Sequence, residues 1–359
     1  MSMEKLISES HRYGSSARYV LLGGGNTSYK MDGVLYVKAS GRELATIEAK
    51  GFVKMDLSRM DTIWANTYSP DDDEREKEVL KDMMACRLEG ETARPSVEAL
   101  LHALLPFSYV VHLHPALVNG ITCSVEGERA IARLFPDALW VELVRPGFIL
   151  AKIVHERLAQ QKKKTGKSSN CIFLQNHGVF VGGESLEEIA CQYDMILKTI
   201  EDHLVRKPDF TPFIMDKKKS SSIASTLEKL TGQKIVSVMN AEFSRYLASL
   251  EAFAPVASSF TPDHIVYSGF KPLWVGEGAS VKVAFAEYER LYGNAPKIIC
   301  VQNTGVFSVG ENPLPLFLDT VSVSVYTESF GGPFFMDEDM IQFVRNWEVE
   351  KYRSSLTKN

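Results

Sequence analysis

Leu174-Gln-Asn-His-Gly-Val-Phe-Val-Gly-Gly-Glu184 is the stretch on which the fold turns. An apolar run, Cys171–Leu174, enters a Gln-Asn-His-Gly turn and leaves it through Val179, Phe180 and Val181. Asn and Gly accept the backbone angles of a tight turn, and the flanks are β-branched or aromatic, so the segment reads as strand, turn, strand. The chain carries it twice. Val301-Gln-Asn-Thr-Gly-Val-Phe-Ser-Val-Gly-Glu311 keeps seven of the eleven residues at a spacing of 127 and puts Thr304 where His177 stands. One version of the turn has an imidazole and the other has only the turn. The neighbouring elements recur too. Helix 148–161, strand 171–174, turn 175–179 and helix 185–204 are answered by helix 280–292 with Ser280 as its N-cap, strand 297–301, turn 302–306 and apolar 314–326. A duplicated unit is the simplest account; independent recurrence of Asn-x-Gly turns is the alternative.

Further out, apolar runs at 34–37, 109–111 and 139–143 alternate with amphipathic stretches near 74–90 and 97–105, which is an α/β pattern. Pro95-Ser96 offers an N-cap to a helix over Val97–Leu105, and Pro106 ends it. Glu98 and His102 then share one face. The basic run 160–167 reads as a solvated loop before the strand near Asn170. A second polar stretch follows Pro208 and Pro212, and the expected division is a first domain at 1–208, a polar linker at 209–225 and a second domain at 226–359.

A length of 359 residues with 45% hydrophobic content suits two buried cores. The net charge of −5 and the lack of Lys/Arg clusters beside aromatic residues argue against a nucleic-acid or membrane partner. Five scattered cysteines without CxxC pairing point to a reducing cytoplasm, and no apolar run resembles a signal peptide or a membrane span.

Chemistry concentrates in three places. His112 and His114, two apart on an expected strand, point to the same face and present two imidazoles side by side. Alone such a pair is commonly two hydrogen-bonded histidines. With His177 at a sheet-end turn it becomes a three-nitrogen set with an open position, the usual catalytic zinc arrangement; manganese, cobalt and iron accept the same donors. Glu98 is the candidate acid/base, since a partly desolvated carboxylate beside a metal can move protons at a carbon next to a polarised carbonyl; its plainer role is an early-turn glutamate favoured by the helix dipole. His102 reads as a supporting or satisfied core histidine. Finally, the glycine-rich 22–30 stretch lacks GxGxxG spacing, so a dinucleotide fingerprint is absent. Its amides with Asn26, Thr27 and Ser28, and the Ser40-Gly41 end of Lys38-Ala-Ser-Gly, are candidate anion nests or ordinary turns. His264 reads as a packed or turn-bonded histidine.

Taken together, Gly25-Asn26-Thr27-Ser28, Ala39-Ser40-Gly41, Pro95-Ser96-Val97-Glu98, His112-Leu113-His114 and Asn176-His177-Gly178 occur in an order that resembles the class II aldolase/adducin family over roughly the first 205 residues. The resemblance implies a three-layer α/β/α domain with a mostly antiparallel central sheet, followed by a smaller, degenerate α/β relative without metal ligands. It implies a catalytic divalent metal, zinc first, on His112, His114 and His177, with Glu98 as acid/base. Asn26, Thr27, Ser40, Gly41 and Ser96 would cradle the phosphate of a small phosphorylated sugar. The expected reaction is cleavage of a ketose 1-phosphate, of rhamnulose or fuculose type, to dihydroxyacetone phosphate and an aldehyde through a metal-stabilised enediolate. A homo-oligomer is implied, commonly a tetramer with a second acid/base from a neighbouring subunit's C-terminal region. Two departures stand out: Val97 replaces a serine of the fuculose-phosphate aldolases, and the Glu98–His112 span is shorter. The shorter span, with Leu35-Tyr-Val-Lys-Ala-Ser-Gly and Thr261-Pro-Asp-His-Ile-Val, resembles the aldolase half of bifunctional rhamnulose-phosphate aldolase/alcohol dehydrogenase proteins. No dinucleotide motif accompanies them, so no dehydrogenase activity is expected. Alternatives on the same scaffold are a sugar-phosphate epimerase or dehydratase, or a non-catalytic adducin-like interaction protein.

Overall fold

The computed structural model describes residues 3–347. They divide into two compact units. Residues up to Thr122, Gly127–Asp202 and Asn346 with Trp347 form the first; Cys123–Glu126 with His203–Arg345 form the second. The last part of the expected second domain, 348–359, lies outside the described residues.

The first unit is built on seven strands: β1 (Asn26–Met31), β2 (Val34–Lys38), β3 (Phe52–Asp56), β4 (Tyr109–Leu113), β5 (Leu139–Val141), β6 (Cys171–Leu174) and β7 (Gly178–Gly183). They lie in the order β3-β2-β1-β4-β7-β6-β5. All neighbours run antiparallel except β5 and β6. One face carries Leu35, Val37, Val110, Ile172 and Phe180 against Val79 and Met83 of the helix Asp72–Ala85, Leu100 and Leu101 of the helix Ala99–Leu104, and Leu150, Val154 and Leu158 of the helix Phe148–Thr165. Each such aliphatic, taken fully out of water, contributes about 1.5–3 kcal/mol. The opposite face takes the helices Met3–Gly14 and Leu186–Glu201. There Thr27 Oγ1 meets Ser10 Oγ at 2.8 Å, and the Tyr193 hydroxyl donates to the carbonyls of Val111 (3.0 Å) and Val179 (3.2 Å). Helices on both sides of a mostly antiparallel sheet make the expected three layers.

The second unit holds β8 (Ile235–Val238), β9 (Leu273–Val275), β10 (Ile298–Val301) and β11 (Gly305–Val309) in the order β8-β11-β10-β9. Its directions repeat those of β4-β7-β6-β5: two antiparallel pairings, then a parallel one. The two turns match bond for bond. Asn176 and Asn303 both adopt left-handed backbone, at φ 55° and 52°. Their amides donate to Thr122 O (3.2 Å) and Leu247 O (3.0 Å); the preceding glutamine amides donate to Val141 O and Val275 O, both at 2.9 Å. The Gln175 and Gln302 side-chain oxygens accept from Leu143 and Glu277, again at 2.9 Å. The second unit is therefore a smaller, degenerate relative of the first. Strand register sets His112 opposite Phe180 and Ser237 opposite the equivalent Phe307. Ser237 thus occupies the place of His112, Met239 that of His114 and Thr304 that of His177.

Three local expectations are corrected. The basic run 160–167 is not a loop: the helix Phe148–Thr165 continues through its lysines to Gly166, whose left-handed backbone closes it. Nothing before Gly166 breaks a helix, and cations suit its last turn. The expected linker 209–225 is helical from Lys217, because the Asp216 side chain accepts from the Lys219 amide and caps the helix Lys217–Thr231. The helix after Pro95 starts at Ala99 with Glu98 at the N-cap position; Ser96 instead accepts the Glu98 amide through its hydroxyl at 3.3 Å. His264 is buried in the second unit, its Nε2 2.9 Å from Asp319 Oδ2.

Candidate metal centre

His112 lies on β4, His114 just past its end, and His177 in the turn between β6 and β7. Pairing of β4 with β7 brings the three together, and one nitrogen from each falls within 4.8 Å of the others. His112 is fully buried and its ring lies flat on Phe180, with centroids 3.9 Å apart. Its Nδ1 is 3.0 Å from the Val179 carbonyl. A carbonyl only accepts, so the proton is assigned to Nδ1 and the Nε2 lone pair faces His114 Nε2, 2.8 Å away. Gly178 makes the approach possible. A Cβ there would lie 2.5 Å from Leu113 O and 2.7 Å from His114 Cδ2.

Glu98 Oε1 reaches the same point, 3.3 Å from His112 Nε2 and 3.1 Å from His177 Nε2. That oxygen is buried and accepts no hydrogen bond, whereas Oε2 accepts from Asn26 Nδ2 at 2.6 Å. Burial pushes the Glu98 carboxyl up, but the imidazoles of His112 and His177 more than reverse this and hold it well below the usual carboxylate range. Burial pushes His112 down to about 4, against the pull of Glu98. Three converging imidazole nitrogens beside a carboxylate with an unsatisfied oxygen are the donor set a divalent cation takes. The residues present fit such an ion.

The sites expected to hold an anion are distributed unevenly. Asn26 is the cross-strand partner of His112, and its Nδ2 also reaches Ser96 Oγ at 3.3 Å. Ser40 and Gly41 follow a bridge between Ala39 and Pro95, with the Ser40 amide on Arg94 O (2.9 Å) and the Ser96 amide on Lys38 O (3.0 Å). Lys38 Nζ donates to Gly23 O (3.2 Å) and Arg42 O (2.6 Å), tying the glycine-rich loop to this segment. Thr27 departs from the group: period-two alternation along β1 turns its hydroxyl to the other face of the sheet, onto Ser10. Only its backbone is left for a ligand beside Asn26. Sequence alone assigns Gly178 only a place in the turn and its motif and says nothing of the Val179 carbonyl, because close approach and backbone groups carry no side-chain signature.

The profile of the class II aldolase and adducin N-terminal domain matches residues 5–202. A Bacillus subtilis protein named as an uncharacterised oxidoreductase, YuxG, is 23% identical over 413 residues covering 99% of this chain; the chain spans 58% of that protein's length. Among solved structures, the N-terminal class II aldolase domain of a conserved Thermoplasma acidophilum protein is 25% identical, with 56% of this chain and 93% of that one aligned at a TM-score of 0.48. The L-fuculose-1-phosphate aldolase of Thermus thermophilus aligns over 55% of this chain and 92% of its own, at 13% identity and a TM-score of 0.38. Among the described residues no helix is long and apolar enough to cross a membrane.

Proposed function

The chain belongs to the class II aldolase and adducin family, and from that premise we propose that it is a metal-dependent aldolase. It would cleave a ketose 1-phosphate of rhamnulose or fuculose type to dihydroxyacetone phosphate and an aldehyde. One observation carries the reading: the nitrogens of His112, His114 and His177 and the unsatisfied Glu98 oxygen converge on one point.

The three histidines would hold the cation, zinc by preference, with Glu98 beside it. When bound, the ion supplies a Lewis acid that draws electrons from the substrate's carbonyl and adjacent hydroxyl. Everything else falls to the chain. Ser96, Ser40 and Gly41, with the Thr27 backbone, would seat the phosphate and so fix the bond to be broken relative to Glu98, while the Asn26 side chain, expected in that seat, is turned onto Glu98, Ser96 and His102. Cleavage leaves an enediolate that must gain a proton at carbon, and Glu98, held by Asn26, would pass it a proton taken up from solvent in the cleavage direction and remove that proton in the reverse one. Phe180 and the sheet behind His112 exclude water from the rear of the site. An acid/base for the aldehyde hydroxyl would come from another subunit of a homo-oligomer.

The test is a screen of ketose 1-phosphates with zinc-loaded protein, reading dihydroxyacetone phosphate. Glu98→Ala should lower the rate by about 10²–10⁴-fold. An unchanged rate in a zinc-replete Glu98→Ala preparation would remove Glu98 from the chemistry. Release of an epimer or a dehydrated sugar in place of two fragments would move the chain to another reaction on the same scaffold.

A further inference from the structure

We propose that Ser28, His102 and Asn26 form a one-way hydrogen-bond chain that fixes the orientation of the Glu98 carboxylate, with His102 a positioning residue locked in its Nε2–H tautomer. The proposal rests on the reading of Glu98 as the acid/base.

Direction follows from what each group is able to do. The Asn26 amide nitrogen donates to Glu98 Oε2 at 2.6 Å. This turns Asn26 Oδ1 towards His102 Nε2, with which it is hydrogen-bonded. An amide oxygen only accepts, so Nε2 carries the proton. A neutral imidazole has one proton, which leaves Nδ1 an acceptor, and the Ser28 hydroxyl, 2.7 Å away, donates to it. The donation from Asn26 to Glu98 thus sets every direction back to Ser28. Burial drives His102 well below its ordinary range, in keeping with a neutral ring.

The fold is arranged to hold this chain. Glu98 and His102 are one helical turn apart, the His102 amide donating to Glu98 O at 3.1 Å. Asn26 and Ser28 share one face of β1. The i,i+4 pair on the helix therefore clasps the i,i+2 pair on the strand. Ser28 and His102 are 0% exposed, Asn26 5% and Glu98 9%, so these bonds lie in a buried environment. The His102 and Phe180 rings pack edge to face with centroids 5.4 Å apart, and Phe180 in turn lies flat on His112. The second Asn26 amide proton points to Ser96 Oγ, which links the orientation of Glu98 to the proposed phosphate seat. With His102 gone, an Asn26 flip would set its oxygen against the carboxylate and release Oε1 from its place beside the imidazoles.

The first measurement needs no substrate. In protein labelled with ¹⁵N-histidine, long-range ¹H–¹⁵N correlation of the zinc-loaded wild type should show His102 protonated at Nε2 and bare at Nδ1, with His112 in the opposite tautomer. His102 protonated at Nδ1 overturns the proposal. The second is kinetic. His102→Phe keeps a ring and removes both nitrogens; kcat should fall about 10–100-fold while zinc content stays at wild type and KM moves less than about three-fold. His102→Gln, which returns a donor near the position of Nε2, should recover most of kcat. Wild-type kcat in His102→Phe, or equal losses in both variants, overturns it as well. If the wild type cleaves no sugar phosphate, the aldolase reading fails while the tautomer still decides the chain; if His102→Phe does not fold, the tautomer again decides.

Discussion

Gly178→Ala inserts one methyl group where two strands and the ring of a proposed ligand already meet. The new Cβ would lie 2.5 Å from Leu113 O, 2.7 Å from His114 Cδ2 and 3.3 Å from His112 Cε1, against an ordinary contact of 3.4 Å or more. The strand pair or the His114 ring must therefore give way by about 0.7–0.9 Å. Metal–nitrogen distances tolerate only about ±0.2 Å, so His114 ceases to be a useful ligand. Zinc affinity should fall by about 100-fold, or 2.7 kcal/mol. The overpacking itself should cost about 1–3 kcal/mol without any metal. Two measurements separate the effects: zinc Kd by competition with a chromogenic chelator, and melting of the apo and zinc-loaded forms. At free zinc equal to about 100 times the wild-type Kd, metal stabilises the wild type by about 2.7 kcal/mol and the variant by about 0.4. A variant with wild-type zinc affinity and an unchanged apo melting temperature would refute the claim that the missing side chain permits the cluster.

Chelation should abolish the sugar-phosphate cleavage and lower the melting temperature together, and added zinc should restore both; loss of one without the other would separate the ion from the fold. Glu76, packed beside the start of the helix Phe148–Thr165, accepts the Phe148 amide at 3.1 Å, and burial pushes its carboxyl up to about 7 despite that bond and Arg75. The folded state then keeps a proton that the unfolded chain releases above about 4.5, so this contribution is complete below pH 4.5 and is lost as pH rises to about 7. The loss is at most about 3 kcal/mol. Glu76→Gln should flatten that part of the profile, checked by denaturant melts at pH 5 and pH 8; parallel profiles would contradict it. Asp216→Ala should cost about 1 kcal/mol by uncapping the helix Lys217–Thr231, read from the same melts.

The Gln-Asn-x-Gly turn was legible because its shape demands those residue types, and the repeated segment made the second unit's kinship legible as well. The grouping of His112, His114 and His177 followed from period-two spacing on β4 and from the turn. What stayed hidden depends on side-chain direction and on partners distant in sequence. Nothing local says that Thr27 faces Ser10 while Asn26, one residue earlier, faces Glu98. The bond of His102 to Ser28 joins positions 74 residues apart. The lysines at 162–164 looked like a loop by charge alone, yet helix propensity and Gly166 decide their state. The shared positions of His112 and Ser237 emerge only from strand register.

Asn303 holds the same left-handed bend as Asn176 although no imidazole follows it. Foldability and metal capacity are thus written in different parts of the same segment: one in the glutamine, asparagine and backbone amides, the other in side chains that can be exchanged without disturbing them. Exchange of the residue at position 177 should therefore change what the segment is able to bind while leaving the bend itself in place.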